Sequence, residues 1–160
     1  MRRWLLLLLL PLGLSACVGW PSPQSNATGL DDLALILWTS HRNVNVNQPV
    51  TIRFTVRNEG KQTVVYDRKD KPVADILIPG GFPKVRWSDG KPLTAELTRL
   101  ELKPGESRVL EMIWAPGPEY KQQIYAPVTI AGRVWWCADK DTCYNEIGLG
   151  VGVELPLFGP

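Results

Sequence analysis

The sequence predicts an all-β protein, an Ig-like antiparallel β-sandwich of about seven to nine strands. Three observations carry that prediction. Apolar residues alternate with period two, most clearly over 50–57. There Val50, Ile52, Phe54 and Val56 point one way, and Thr51, Arg53, Thr55 and Arg57 the other. Apolar runs of strand length recur roughly every 8 to 12 residues, separated by Pro, Gly, Asp and Asn. No window pairs a 3.6-residue apolar period with helix-capping residues.

The elements follow in chain order. Residues 33–39 form a near-continuous apolar strand, and 50–57 is the alternating strand already described. Residues 63–66 and 73–78 are short strands, bounded by Asn58-Glu59-Gly60 and by the charged stretch 68–72. A strand over 97–102 runs into Lys103-Pro104-Gly105-Glu106, where Pro then Gly suits the two central positions of a type II turn. The return strand, 107–114, places Leu110, Met112 and Trp114 on one face, and Val109, Glu111 and Ile113 on the other. Further strands are expected over 123–133 and 148–155. Trp38, Trp87 and Trp114 fall on strand patterns and read as core or sheet-packing residues.

Ahead of the sheet lies an address. Met1-Arg2-Arg3 is a basic head, followed by an apolar stretch over 4–14 that is too short to span a hydrocarbon core of about 30 Å as a helix. Leu14-Ser15-Ala16-Cys17 resembles the lipobox of bacterial lipoproteins. That resemblance implies a signal peptide over 1–16 and acylation of Cys17, which becomes the new N-terminus and ties the protein to a membrane. Val18 after the cysteine resembles the outer-membrane-sorted class, so the expected location is the extracytoplasmic face of the cell envelope. Residues 18–32 are rich in Pro, Ser, Asn and Gly and read as a flexible tether, about 20 Å across as a coil and about 50 Å when straight. The domain is then 33–160.

Charge narrows the function. The chain of 160 residues has 18 basic and 16 acidic side chains, but Arg2 and Arg3 leave with the signal peptide. A balanced mature domain has no basic field to attract nucleic acid, so no nucleic-acid partner is expected. A single histidine, His41, makes a poor start for a metal site or a hydrolytic triad. Ser40 precedes it, but adjacent strand residues diverge and no Gly-x-Ser-x-Gly elbow is present. Asp139 and Asp141 supply too few oxygens for calcium. No cofactor, no metal and no catalytic residue are expected: the chain reads as a binding protein, not an enzyme.

Candidate contact residues remain. With Cys17 committed to lipid, Cys137 and Cys143 are expected to form a disulfide in an oxidising compartment. Trp135 and Trp136 are neighbours on a strand and point to opposite faces, so one is a candidate for contact with a partner. Phe82 stands beside Gly80-Gly81 between Pro79 and Pro83, a second candidate surface whose backbone is restrained in advance.

Residues 48–114 resemble the bacterial intracellular proteinase inhibitor (BsuPI) family. The similarity runs through Phe54-Thr55-Val56-Arg57-Asn58, Asp75-Ile76-Leu77-Ile78, Val85-Arg86-Trp87-Ser88-Asp89-Gly90 and Leu102-Lys103-Pro104-Gly105-Glu106, ending at Trp114. It implies an Ig-like all-β domain and a protein partner, a proteinase among the candidates. The stretch after Ala115, with the cysteine pair, departs from the family. An envelope scaffold or a carbohydrate-binding module is the alternative reading.

Overall fold

The central strands form here because one face of each can be buried. The computed structural model describes residues 23–30, 32–79, 84–118, 120, 127–137 and 146–158. The elements are β1 (Gln24–Leu30), β2 (Leu33–Thr39), β3 (Val44–Asn45), β4 (Val50–Asn58), β5 (Val64–Asp67), β6 (Ala74–Ile78), β7 (Val85–Arg86), a helical turn α1 (Ala95–Thr98), β8 (Arg99–Leu102), β9 (Ser107–Trp114), β10 (Pro127–Cys137) and β11 (Glu146–Phe158). The alternation read from the sequence is the burial pattern of the central strand: Val50, Ile52, Phe54 and Val56 are all fully buried.

The strands make an all-β sandwich. One sheet has the order β1-β2-β4-β9 and the other β3-β11-β10-β6-β7, with β5 and β8 forming a separate two-stranded ribbon. Pairings are antiparallel except β3 with β11, where Leu157 and Phe158 run parallel to Val44 and Asn45. Between the sheets, Leu35, Leu37, Ile52 and Phe54 meet Ile76, Ile130, Val153 and Leu155. At Gly132 the sheets approach closely: a Cβ there would lie 2.2 Å from the Phe54 ring, so a hydrogen is all that fits.

Several expectations shift. Gln24–Leu30, expected within the tether over 17–32, is a seven-residue strand paired along its length with β2, from Gln24 opposite Thr39 to Leu30 opposite Leu33. Its polar sequence hid it, because its order comes from backbone pairing and from the Asn26 amide donating to the Gly152 carbonyl at 2.8 Å. The strand expected over 97–102 begins at Arg99, behind the four-residue turn α1. The strand expected over 123–133 is displaced to Pro127–Cys137, and its partner extends to Glu146–Phe158. The Pro104-Gly105 turn is as expected, with Glu106 N–H donating to the Lys103 carbonyl at 2.9 Å. The signal peptide, Cys17, Phe82 and Cys143 lie outside the described residues, and no helix among the described residues is long and apolar enough to cross a membrane.

Candidate functional site

The most constructed surface of the molecule starts from a carboxylate in the wrong place. In β6, Ala74, Ile76 and Ile78 are buried against the core, so Asp75 points to the other side of the sheet, yet it too is buried. A turn closes over it. Asp75 Oδ1 accepts from Ile76 N–H at 3.0 Å and Ser88 N–H at 3.1 Å, and Oδ2 accepts from the Ser88 hydroxyl at 2.7 Å. Burial raises the Asp75 pKa above its ordinary value, opposed by the Ser88 and Ile76 hydrogen bonds and by the Arg86 charge.

The turn has its own ties. Trp87 N–H donates to the Ile76 carbonyl at 3.0 Å, and Lys91 N–H donates to the Ser88 carbonyl at 3.1 Å. Arg86 N–H donates to Asp89 Oδ2 at 2.8 Å. Gly90 takes a φ of +75°, a conformation that costs a side-chain-bearing residue energy, and so the chain doubles back. The reversal sets Lys91 Nζ 3.0 Å from the centre of the Trp87 ring. Desolvation lowers the Lys91 pKa, while Asp75 raises it. The Trp87 indole N–H donates to the Glu111 carbonyl at 2.9 Å, which ties the corner to the outer edge of β9.

Beside this corner opens a cavity of about 370 Å³, with Val73, Leu97 and Trp87 as apolar lining and Lys91, Arg108 and Glu96 adding charge. Arg108 Nη1 donates to the Glu96 carbonyl at 2.7 Å and the Arg99 carbonyl at 2.9 Å, fixing α1 against β9. Such a recess can take an apolar side chain from a partner while its cations meet a carboxylate. Asp75 and Lys91 were not singled out in the sequence. The available signal was a charge inside an apolar strand and the Trp87-Ser88-Asp89-Gly90 run, which lies within the stretch that resembles the inhibitor family.

The other candidates sit elsewhere. Trp135 and Trp136 do point to opposite sides of β10, and both are half-buried. Trp136 stacks on Tyr66 with ring centres 4.4 Å apart, beside a recess of about 400 Å³ that also meets Asp67, Arg99 and Cys137. Trp135 lies across Gly148 on β11, with the Arg68 guanidinium 4.9 Å from its ring centre. Trp114 is in the core, edge-on to Tyr120, and Trp38 lies on the outer face of its sheet under Arg53. Ser40 Oγ does reach His41 Nδ1, at 2.8 Å, because β2 stops at Thr39 and the two side chains leave a bend. The same hydroxyl accepts from Thr51 N–H at 3.0 Å, so this contact fastens the strand end. Among the described residues no three His, Cys, Asp or Glu side chains converge as a metal site would require.

Comparison with known proteins bears on the same region. The sequence model of the intracellular proteinase inhibitor family, BsuPI, matches residues 38–129, more than half of the chain and wider than the stretch over 48–114. It includes the whole Trp87 corner and its cavity, and it continues past Ala115, where divergence was expected. No curated protein matches. Among solved structures, similar chains include β-glucosidase from Listeria innocua in a mutant form with laminaribiose (TM-score 0.31), without ligand (0.30) and with glucose (0.29). Each is 10% identical, with 88% of this chain aligned to 17% of the enzyme. The chain thus spans a small part of those enzymes, and the likeness carries no argument about fold or activity.

Proposed function

The chain belongs to the intracellular proteinase inhibitor (BsuPI) family, and from that premise we propose that it is a non-enzymatic, lipid-anchored protein of the cell envelope that binds a protease. The observation that carries the reading is that the family match contains the Trp87 corner with its cavity. The hydrogen bonds of this corner would hold it loosely if all were exposed, but their central acceptor, Asp75, is buried. Binding then costs little ordering entropy, which is what a competitive inhibitor needs.

The anchor is Cys17, as the resemblance to lipoproteins implies, and it places the domain outside the cytoplasm. The Cys137–Cys143 disulfide belongs to the same reading, because an extracytoplasmic compartment permits the bond. Phe82 and the segment after Cys137 are further contact candidates.

Kinetics test the function. The purified protein, titrated against a panel of extracytoplasmic proteases, is expected to lower the turnover of at least one of them at stoichiometric to micromolar concentration. Lys91→Glu, which reverses the charge at the cavity without touching the core, is expected to weaken that inhibition at least tenfold, the loss expected of a charge pair in a shielded contact. Unchanged turnover across the panel at saturating protein rejects inhibition.

A further inference from the structure

The finding that residues 24–30 form a strand changes where the anchored domain can sit. Only residues 18–23 separate Cys17 from Gln24. Seven backbone steps span at most about 25 Å, half of what a tether to residue 32 would allow. The point from which this short lead departs is fixed by register. Gln24 lies opposite Thr39, Thr39 opposite Ile52, and Ile52 opposite Met112, so one row crosses all four strands of the β1-β2-β4-β9 sheet. The width of that row is about 14 Å.

The outer face of this sheet carries exposed apolar side chains, from Ile113 beside that row to Ile36 and Val109 in the middle of the sheet. Among the described residues five large apolar side chains are exposed, and three of them, Ile36, Val109 and Ile113, belong to this face. Ile113 is the most exposed, at 71%, and lies next to the row in which the lead departs. Trp38 is in the adjoining row, opposite Arg53, whose guanidinium is 5.3 Å from the Trp38 ring centre and pairs with Glu111. Arg57 is exposed further along the face, and Arg42 Nε donates to the Pro23 carbonyl at 3.4 Å, where the lead begins. Aliphatic side chains, an indole and an excess of arginine over carboxylate suit the boundary between anionic headgroups and acyl chains.

We propose that this outer face rests on the anionic surface of the bilayer that holds Cys17, with Ile113 and Trp38 at headgroup level. The inference rests on the acylation of Cys17 put forward above. It gives the short lead a consequence: the lipid does not merely retain the domain but presents the face nearest the anchor to the membrane.

Photocrosslinking tests it. The full-length lipoprotein, carrying p-benzoylphenylalanine in place of either Ile113 or Thr129, is reconstituted into vesicles of phosphatidylethanolamine and phosphatidylglycerol and irradiated. Thr129 is exposed on β10, in the opposite sheet. Mass spectrometry is expected to find severalfold more phospholipid adduct at position 113 than at 129, and the same samples report whether Cys17 is acylated. Equal adduct yields with Cys17 acylated overturn the orientation alone and leave the anchor intact. Protein–protein adducts at position 113 in place of lipid adducts also overturn it, in favour of a second copy on this face. An unmodified Cys17 overturns the anchor and the orientation with it.

Discussion

The two margins of the β1-β2-β4-β9 sheet solve one problem in different ways. A sheet edge exposes unpaired backbone groups that invite association with other chains. At the β1 margin the strand is polar, and Asn26 reaches across to the Gly152 carbonyl of the opposite sheet. At the β9 margin the strand keeps apolar residues, and side chains from elsewhere cover it: the Trp87 indole takes the Glu111 carbonyl, and Arg108 holds α1 alongside. The first margin is closed by its own composition. The second is closed by a built corner, and construction of that kind leaves a recess. The difference teaches that a covered edge can double as a contact surface when its cover is rigid.

The largest expected effect comes from removing that cover. Trp87→Ala deletes a half-buried indole and the hydrogen bond to Glu111, so it should cost about 3 kcal/mol, read as a lower denaturant midpoint. The comparison is sharpened by adding Trp87→Phe, which keeps a ring under Lys91 but has no N–H to donate. That variant should lose about 1 kcal/mol. If both variants leave stability unchanged, the corner does not cover the edge, and the two margins are alike.

Next in size is the buried carboxylate beneath the turn. Asp75→Ala leaves the Ser88 and Ile76 N–H groups without their acceptor, at a cost of about 1–2 kcal/mol. Asp75→Asn keeps an acceptor oxygen and removes the charge, and its signature is in the pH dependence. The folded-state pKa of Asp75 lies above the ordinary 3.8, chiefly through burial, so the native state holds this proton more tightly than the unfolded chain does. The contribution to stability is greatest when the group is protonated, declines as pH rises from 3.8 towards the raised folded value, and is constant above it. Asp75→Asn should lack that decline and gain on the wild type as pH rises through the window. Parallel stability curves for the two proteins from about pH 3 to about pH 7 would show that the turn does not bury the charge.

How much of this was legible depends on what holds each part in place. Strand β4 is written in alternating apolar residues, and β2 and β9 in apolar runs of strand length, because burial decides which side chains fit there. The Pro104-Gly105 turn is legible for a similar reason: its geometry is local. β1 is not, since Gln24-Ser25-Asn26-Ala27-Thr28-Gly29-Leu30 carries no alternation and its pairing is decided by a partner strand. The site divides the same way. Trp87 was visible as an aromatic on a strand pattern, and Trp135 and Trp136 were read onto opposite faces, where they are. That Trp87 would sit under Lys91 depended on the reversal at Gly90 and on Asp75 beneath it, contacts between residues up to 16 apart in sequence. Such contacts leave no periodic trace.

The smallest effect belongs to the β1 margin and bears on the comparison most directly. Asn26→Ala removes the exposed side-chain bond to the Gly152 carbonyl and the local bond that its amide oxygen accepts from Ala27 N–H, at an expected cost of about 0.5 kcal/mol. The backbone pairing of β1 with β2 should survive, because that margin is held by its seven-residue ladder and the amide only pins it. Hydrogen exchange separates the two contributions. Amides of β1 should exchange severalfold faster in the variant, while those of β9 keep their wild-type protection. Faster exchange at both margins would mean that they are coupled through the sandwich, so that loosening the β1 side also loosens the recess beside Trp87.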